Sequence, residues 1–322
     1  MTRARITVIG GAHVDRRGRI NGDTKPGSSN PGSWFEEAGG GGFNAARNLA
    51  LLGHDVSMIS VSGGDAAGEL VARAAERAGV ALEGFTFLDR QTPSYTAILE
   101  ADGNLVIALA DMALYDLMTP RRLRVNWVRD RLTGSDLVLC DANLPAETIA
   151  ALAALLKPHG VPLAGIGISP AKVGRCKGSL GEFTFLFMNE AEARTLAGPQ
   201  DTSIAWPQAL RAIGLRGGAI TRGTDQAVIW SGDQACMLAP PKLDVIGDVT
   251  GAGDAFAAGA LHAFLQGQTL SDIVKSATAL ASLTVRSPLA VAENINQEDI
   301  AAALALVQAP EMLNEVSKPK DN

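Results

Sequence analysis

Residues 248–254 read Asp-Val-Thr-Gly-Ala-Gly-Asp, and residues 255–259 continue without a break as Ala-Phe-Ala-Ala-Gly. A loop of small residues that opens directly into a helix leaves main-chain N–H groups uncovered, and the helix dipole adds positive potential there. We therefore predict that this loop binds phosphate or another developing negative charge, with Asp254 beside it as a proton acceptor. The structural alternative is that Asp254 only occupies a helix N-terminus, where Asp is common. The length of the string favours the functional interpretation.

Outward from this loop, short apolar strands alternate with helices along most of the chain. The predicted strands cover residues 6–9, 56–61, 137–140, 163–168, 183–187, 219–221, 227–230 and 234–238. The predicted helices cover residues 44–52, 66–78, 146–157, a segment from 189, a segment before 214, 251–265, 270–285 and 298–307. This alternation predicts an α/β fold with a mainly parallel central sheet and helices on both faces.

The segments 16–37 and 94–109 break this alternation. Residues 16–37 are polar and rich in Gly, Ser, Asn and Pro, whereas 94–99 and 105–109 are β-rich runs joined by Ala-Asp-Gly-Asn. Asp-Gly between two such runs is a hairpin signal. We predict that these segments form a small antiparallel sheet that stands apart as a lid. The predicted domains are a large α/β domain at 1–11, 41–89 and 116–316, and a lid at 12–40 and 90–115.

The composition of the 322-residue chain excludes several classes of protein. Hydrophobic residues make up 47% of it, which is enough to fill a sizeable core. The formal net charge is −6, and the basic residues form no stripe that could neutralise a nucleic-acid backbone. The three cysteines have no CxxC spacing, and no apolar run is long enough to cross a bilayer. We expect a cytoplasmic protein with a small-molecule substrate and neither a nucleic-acid nor a membrane partner.

The sequence resembles the ribokinase (PfkB) family of carbohydrate and nucleoside kinases over nearly its whole length. Residues 248–254 look like the C-terminal signature of that family. The family's other motifs occur in the right order: Gly39-Gly40-Gly41-Gly42-Phe43-Asn44 with the later Gly53 and Gly63, Gly64-Asp65-Ala66-Ala67-Gly68, Asn189-Glu190-Ala191-Glu192, and Thr221-Arg222-Gly223. A single motif can arise by chance, but such an ordered series is not expected to.

The resemblance implies which residues handle the transferred phosphoryl group. Asp254 is implied as the general base, and the main chain of Gly251, Ala252 and Gly253 as the anion hole. The residues implied to contact ATP are Asn189, Thr221, Gly223, Gly251 and Gly253.

The resemblance also implies cation sites. Asn189 and Glu192 would organise Mg²⁺ through its waters, which suits an ion that tends to keep several waters. Their spacing is also that of a capping box, so a structural role is an open alternative that is compatible with the first. Asp248 and nearby carbonyls would hold a monovalent cation, which is potassium in many members.

On the substrate side, the resemblance implies binding of sugar hydroxyls by Asp15, Gly40, Gly41 and Asn44. His13 lies close to Asp15 in sequence and is a candidate to face the substrate. Two structural alternatives stay open: Asn44 could be a helix N-cap, and Asp15 follows a strand-and-glycine turn where a solvated Asp is common.

Some shorter segments resemble the pseudouridine kinases within this family. They are Ser29-Asn30-Pro31-Gly32, Asn48-Leu49-Ala50-Leu51-Leu52-Gly53, Ala110-Asp111-Met112 and Asp141-Ala142-Asn143-Leu144. Those enzymes phosphorylate the ribose 5′-hydroxyl of pseudouridine. The resemblance implies that Asn30, Asp111 and Asn143 reach the substrate, since a base edge presents both donors and acceptors. Phe43 is a departure, because pseudouridine kinases favour Arg there.

Other departures from the family pattern argue against an ordinary ribokinase. Many members have Asn in place of His13, ribokinases often have Glu in place of Asn143, and Gln226 replaces a usual glycine. The catalytic loop is untouched by these changes. The sequence therefore predicts an ATP-dependent kinase, and pseudouridine is its predicted substrate.

Two alternative functions remain at this stage. The first is a kinase of another small sugar or nucleoside, such as ribose, fructose or adenosine. The second is a catalytically silent sugar-binding protein on the same fold, which the intact Asp254 and its glycines argue against. An exposed lid sheet also tends to pair with a second copy, so we expect a homodimer through the lid.

Overall fold

The computed structural model of the chain describes residues 3–293 and 295–313. Within these residues, a ten-stranded central sheet has the order β14-β13-β12-β11-β10-β9-β8-β1-β4-β5. Its strands are β1 Arg5–Ile9, β4 Asp55–Gly63, β5 Ala81–Phe87, β8 Leu137–Asp141, β9 Leu163–Ile166, β10 Phe183–Asn189, β11 Gly217–Arg222, β12 Asp225–Ser231, β13 Gln234–Leu238 and β14 Glu311–Met312. All neighbours from β5 to β11 pair in parallel, and β11 to β14 pair antiparallel.

Alternate side chains along each central strand enter different apolar clusters. In β1, Ile6 and Val8 face one cluster and Ile9 faces the other; in β10, Phe185 and Leu186 are divided in the same way. A strand that is apolar on both sides must be covered on both sides. The predicted α/β fold with a mainly parallel sheet and helices on both faces is confirmed.

Helices from different parts of the chain cover the two faces. One face packs against α1 Gly41–Leu51, α2 Ala66–Arg77, α9 Ala252–Leu265, α10 Leu270–Arg286 and α11 Gln297–Leu306. The other packs against α3 Pro120–Leu123, α4 Asn126–Thr133, α5 Ala146–Leu156, α6 Pro170–Val173, α7 Glu190–Ala197 and α8 Ala205–Ala212. No helix within residues 3–293 and 295–313 is long and apolar enough to span a membrane.

A separate small sheet has the order β3-β2-β6-β7. Its strands are β2 His13–Ile20, β3 Gly32–Gly39, β6 Ser94–Leu99 and β7 Leu105–Asp111. The outer pairs are antiparallel, as expected of hairpins, whereas β2 and β6 at the centre run parallel, so the small sheet is mixed. All four strands fall within the sequence segments assigned to the lid.

The small sheet exposes large apolar side chains. Trp34 is 63% exposed, Ile107 65% and Leu109 71%. The domain boundaries drawn from the sequence stay a prediction. Residues 1–2, 294 and 314–316 of the predicted large domain lie outside the described residues.

Candidate active site

The carboxyl ends of the parallel strands converge on a cavity of about 380 Å³. We call it the acceptor cavity. In parallel α/β sheets, ligands bind at this edge because the loops that follow the strands meet there. The acceptor cavity is lined by His13, Asp15, Gly40, Gly41, Asn44, Ile166, Ile168, Phe187, Met188, Asn189, Glu192, Ala219, Thr221, Thr250, Gly251, Gly253 and Asp254. Most of the site residues predicted from the sequence are among them.

The loop before α9 depends on Gly251. Its φ is 77°, in the left-handed region, and a Cβ there would lie 1.9 Å from the main-chain oxygen of Ala290. Only glycine fits this position, and it turns the chain into α9, which begins at Ala252. The N–H groups of a first helical turn have no acceptor within the helix. Gly253 and Asp254, which belong to this turn, line the acceptor cavity. The N–H of Ala252 is already donated to Val249 O over 3.3 Å.

Asp254 is half-buried in the first turn of α9 and lines the acceptor cavity. Its Oδ2 accepts a 2.8 Å hydrogen bond from Asn44 Nδ2. Burial, together with the nearby carboxylates of Asp141 and Glu192, raises the pKa of Asp254 to about 7 against the lowering effects of Asn44 and Arg47. A carboxylate whose pKa lies near neutral pH is suited to accept a proton from a hydroxyl.

The glycine motif brings α1 against Asp254. The helix begins at Gly41 and is preceded by Gly40, which has a φ of 111°. A Cβ on Gly40 would lie 2.4 Å from Gly11 O, so only glycine fits there. Asn44 therefore lies inside the first turn of α1, and the alternative that it caps the helix is wrong. A Cβ on Gly41 would lie 3.1 Å from Asp254 Oδ1, so the missing side chain leaves room for the carboxylate.

Three polar side chains contact one another in series on the small-sheet side of the acceptor cavity. Buried Tyr115 places its hydroxyl 3.0 Å from Nδ1 of His13, and His13 Nε2 lies 3.2 Å from Asp15 Oδ1. Burial raises the pKa of Tyr115 well above its usual value, so its hydroxyl keeps its proton. The turn alternative for Asp15 does not hold, because Asp15 lies in β2 and faces the cavity.

Asn189 and Glu192 form a capping box at the start of α7. Asn189 Oδ1 accepts from Glu192 N at 2.9 Å, and Glu192 Oε2 accepts from Asn189 N at 3.0 Å. The predicted structural role is therefore confirmed. Glu192 Oε1 accepts from Asn189 Nδ2 at 2.8 Å, so each carboxylate oxygen keeps capacity for one more donor. Because both residues line the cavity, this donor set fits waters bound to Mg²⁺.

A second cavity of about 690 Å³ adjoins the acceptor cavity and shares Thr221 and Gly253 with it. We call it the donor cavity. Gly223 and Ala252 also line it, and most of its remaining surface is apolar, from Leu238, Pro240, Pro241, Leu243, Ile246, Val249, Phe256, Ala281 and Val285. An apolar slot with polar groups at one end suits a planar heterocycle that carries phosphates.

The Asp248 carboxylate already has partners within the protein, and its monovalent-cation role stays a prediction. Its Oδ1 accepts from the N–H and the hydroxyl of Thr250, at 2.9 and 2.8 Å. Its Oδ2 accepts from Nη1 of Arg17 at 2.8 Å, so a guanidinium already neutralises this carboxylate. Arg17 also pairs with Glu37 and lies in the small sheet, which ties that sheet to the catalytic loop.

Three predicted substrate residues do not line the acceptor cavity. The Asn30 side chain is bonded to the main chain of Lys25 and Ser28, and Asp111 is exposed at the end of β7. Asn143 is buried against Gly11, where its Oδ1 accepts from Lys172 Nζ at 2.5 Å. Their contact with a substrate stays a prediction.

Some residues around the site were not predicted to be functional from the sequence. Arg47 follows Asn44 by one helical turn, a spacing that places both on one helix face and could have been noticed. Asp141 is buried and accepts from the N–H groups of Gly11 and Gly42 at 2.8 and 3.1 Å. Tyr115 gave no sequence signal, because only the tertiary fold brings it to His13.

Comparison with known proteins places the chain in a family. The model of the pfkB family carbohydrate kinases matches residues 3–297. The sugar kinase YeiI of Escherichia coli strain K12 is 33% identical over 319 residues, which are 94% of this chain and 83% of that protein. The pseudouridine kinase of the same strain is 28% identical over 321 residues, covering 96% of this chain and 98% of that protein.

A solved structure supports the same assignment. The structure of a carbohydrate kinase from Agrobacterium tumefaciens is 54% identical, with a TM-score of 0.88, and the match covers 96% of this chain and 100% of that one. The matches run through both the central sheet and the small sheet. The chain therefore belongs to the pfkB family of carbohydrate kinases, which makes it a phosphotransferase that acts on a sugar hydroxyl.

Proposed function

We propose that the chain transfers the γ-phosphoryl group of ATP to the 5′-hydroxyl of pseudouridine. The observation that carries the transfer is the junction of the two cavities at Gly253 and Thr221, next to Asp254. ATP would occupy the donor cavity with its phosphates at the start of α9, and the nucleoside would occupy the acceptor cavity. The two substrates would then meet beside one carboxylate.

Each part of the site has one task in this reaction. Asp254 accepts the proton of the attacking hydroxyl, and the N–H groups at the start of α9, with the helix dipole, stabilise charge on the transferring group. Asp15 and His13 orient the acceptor from the side of the small sheet. That sheet closes over the acceptor and keeps out water, which would compete with it.

Magnesium is part of this proposal. Asn189 and Glu192 would hold its waters at the edge of the acceptor cavity. Bound Mg²⁺ supplies positive charge that neutralises the phosphates during transfer. The hydrogen bonds of the capping box fix both side chains before the ion arrives.

The charge of the acceptor cavity favours an uncharged acceptor. Asp15, Glu192 and Asp254 line it, and no Lys or Arg does within the described part of the chain. An anionic sugar would meet repulsion from these carboxylates, whereas a neutral nucleoside can donate hydroxyls to them. Phe43, the departure from the pseudouridine kinases, carries the guanidinium of Arg47 over its ring at 4.9 Å, so a cation still lies on that helix face.

Another small sugar or nucleoside is the second candidate acceptor. The chain is 33% identical to the sugar kinase YeiI and 28% identical to the pseudouridine kinase. This difference favours the second candidate. A homodimer through the exposed apolar face of the small sheet and a cytoplasmic location are also part of the proposal.

ADP release with a panel of acceptors tests the substrate. We expect rapid turnover with pseudouridine and slow turnover with uridine, adenosine, ribose and fructose. The protein without acceptor gives the background ATPase rate. Rapid turnover with ribose or fructose and none with pseudouridine would remove pseudouridine and favour the second candidate.

The pH dependence of turnover tests the state of Asp254. Its pKa is raised to about 7, and only the deprotonated form accepts a proton. Activity is therefore present above that pKa and is lost as the pH falls through it. We expect kcat/KM to fall about tenfold for each pH unit below about 7. A profile that is flat down to pH 5 would contradict this assignment.

A further inference from the structure

Arg47 determines the orientation of the Asn44 amide. Nη2 of Arg47 donates to Asn44 Oδ1 over 2.7 Å, and Asn44 Nδ2 donates to Asp254 Oδ2 over 2.8 Å. A guanidinium can only donate, so the amide must turn its oxygen towards Arg47. The amide NH₂ group then has to face Asp254. The carboxylate is thereby linked to a cation through one intervening side chain.

Arg47 is itself held in place. Its Nη2 also donates to Ala38 O at 3.0 Å, and its guanidinium lies 4.9 Å from the centre of the Phe43 ring. The side chain is largely withdrawn from solvent, and its Nε has no hydrogen-bond partner among the described residues. A largely buried guanidinium is costly unless its charge is balanced. The carboxylates that act on it are those of Glu37, Asp254, Glu293 and Asp15.

The charges around Asp254 show what Arg47 opposes. Burial and the carboxylates of Asp141 and Glu192 favour the protonated form of Asp254. Asn44 and Arg47 are the groups that favour the ionised form. A hydrogen bond to the charged form and a nearby opposite charge both act in this direction. Of these two side chains, only Asn44 bonds the carboxylate, and Arg47 acts through Asn44.

We infer that Arg47 is a positioning residue for the catalytic base: it orients the Asn44 amide, whose NH₂ group then holds the Asp254 carboxylate towards the acceptor. This inference rests on the proposed function of Asp254. It also changes the role implied for Asn44. Both ends of the Asn44 amide are bonded within the protein. Asn44 therefore positions the base, in addition to any contact with a substrate hydroxyl.

The pH–rate profile of R47M tests the inference. We expect the acidic limb of kcat to move up by about one pH unit. Turnover would then fall about tenfold at pH 6 and return towards the wild-type value at pH 9, where Asp254 is ionised in both proteins. R47K keeps the charge and one donor, so we expect it to restore part of the difference.

Other variants separate positioning from simple loss of structure. N44A removes both bonds of the same chain, so its acidic limb should move in the same direction, and the double variant R47M N44A should move little further than N44A. R73A is the control: it removes a positive charge from an exposed ion pair with Glu69 and should leave the pH–rate profile unchanged. An equal loss of turnover at every pH in R47M and N44A would overturn the inference.

A direct titration keeps this test independent of the proposed reaction. In protein with ¹³C-labelled Asp carboxyls, the signal absent from D254N reports the protonation of Asp254 without any turnover. We expect this signal to titrate at higher pH in R47M and N44A than in the wild type. Identical titrations would refute the role of Arg47, whereas a shifted titration in a protein with no kinase activity would refute only the proposed function.

Discussion

Asp254→Asn is expected to lower kcat about a thousandfold, because the new side chain cannot accept the proton of the attacking hydroxyl. The replacement is nearly isosteric, and its amide oxygen can still accept from Asn44 Nδ2. The fold and the donor cavity should therefore persist. The measurement is steady-state ADP release at saturating acceptor, together with the Kd of ATP by calorimetry.

A control variant shows whether the loss of turnover is specific to Asp254. Asp130→Asn changes an exposed carboxylate on α4 that pairs with its neighbour Arg129, and it should leave kcat unchanged. Binding of ATP should be the same in both variants. Full turnover by Asp254→Asn would show that another group accepts the proton. Loss of ATP binding with loss of turnover would show that Asp254 has a structural role instead.

Gly251→Ala is expected to cost both activity and stability. The backbone there has a φ of 77°, and a new Cβ would lie 1.9 Å from the main-chain oxygen of Ala290, which no rotamer change can relieve. A non-glycine residue in this region costs about 1–2 kcal/mol before any clash is counted. The loop must move, and its N–H groups move with it, so we expect kcat to fall about a hundredfold.

A glycine without these constraints provides the control. Gly174 has a φ of −56°, and a Cβ there would meet nothing within 4 Å. Gly174→Ala should leave kcat and Tm unchanged, whereas Gly251→Ala should lower both. Equal behaviour of the two variants would mean that the conformation of the catalytic loop does not depend on Gly251.

The sequence predicted most of the central sheet because its strands have short apolar runs that end at turn residues. The β5 strand was missed, since Glu83 and Gly84 interrupt its pattern and it forms one edge of the sheet. For residues 16–37 the sequence predicts a small sheet but not the bounds of its strands. Their polar composition reflects a sheet that is solvated on one side, and only its pairing partners show that β2 and β3 are regular.

The site was predictable where its residues belong to one local motif. Gly251, Asp254, Asn44, Asn189 and Glu192 each sit at a helix start, where sequence spacing and local geometry agree. Contacts between distant segments could not be predicted. The bond from Arg17 to Asp248 and that from Tyr115 to His13 depend on how the small sheet and the residues after it pack onto the large domain.

A competing location for a ligand exists elsewhere in the molecule. A cleft of about 710 Å³ lies at the amino ends of β1 and β4, where Arg5, Trp127 and Arg131 line it. It is larger than the acceptor cavity but contains none of the residues around Asp254. In parallel sheets this edge lacks the converging loops and helix N-termini that bind phosphates.

The most direct measurement is the distance between the acceptor hydroxyl and the Asp254 carboxylate in a crystal of the ternary complex. The complex would contain a non-hydrolysable ATP analogue and the acceptor that turns over fastest. We predict about 3 Å between these oxygens, with the terminal phosphate of the analogue at the start of α9. An analogue bound in the cleft beside Trp127, or a hydroxyl turned away from Asp254, would contradict it.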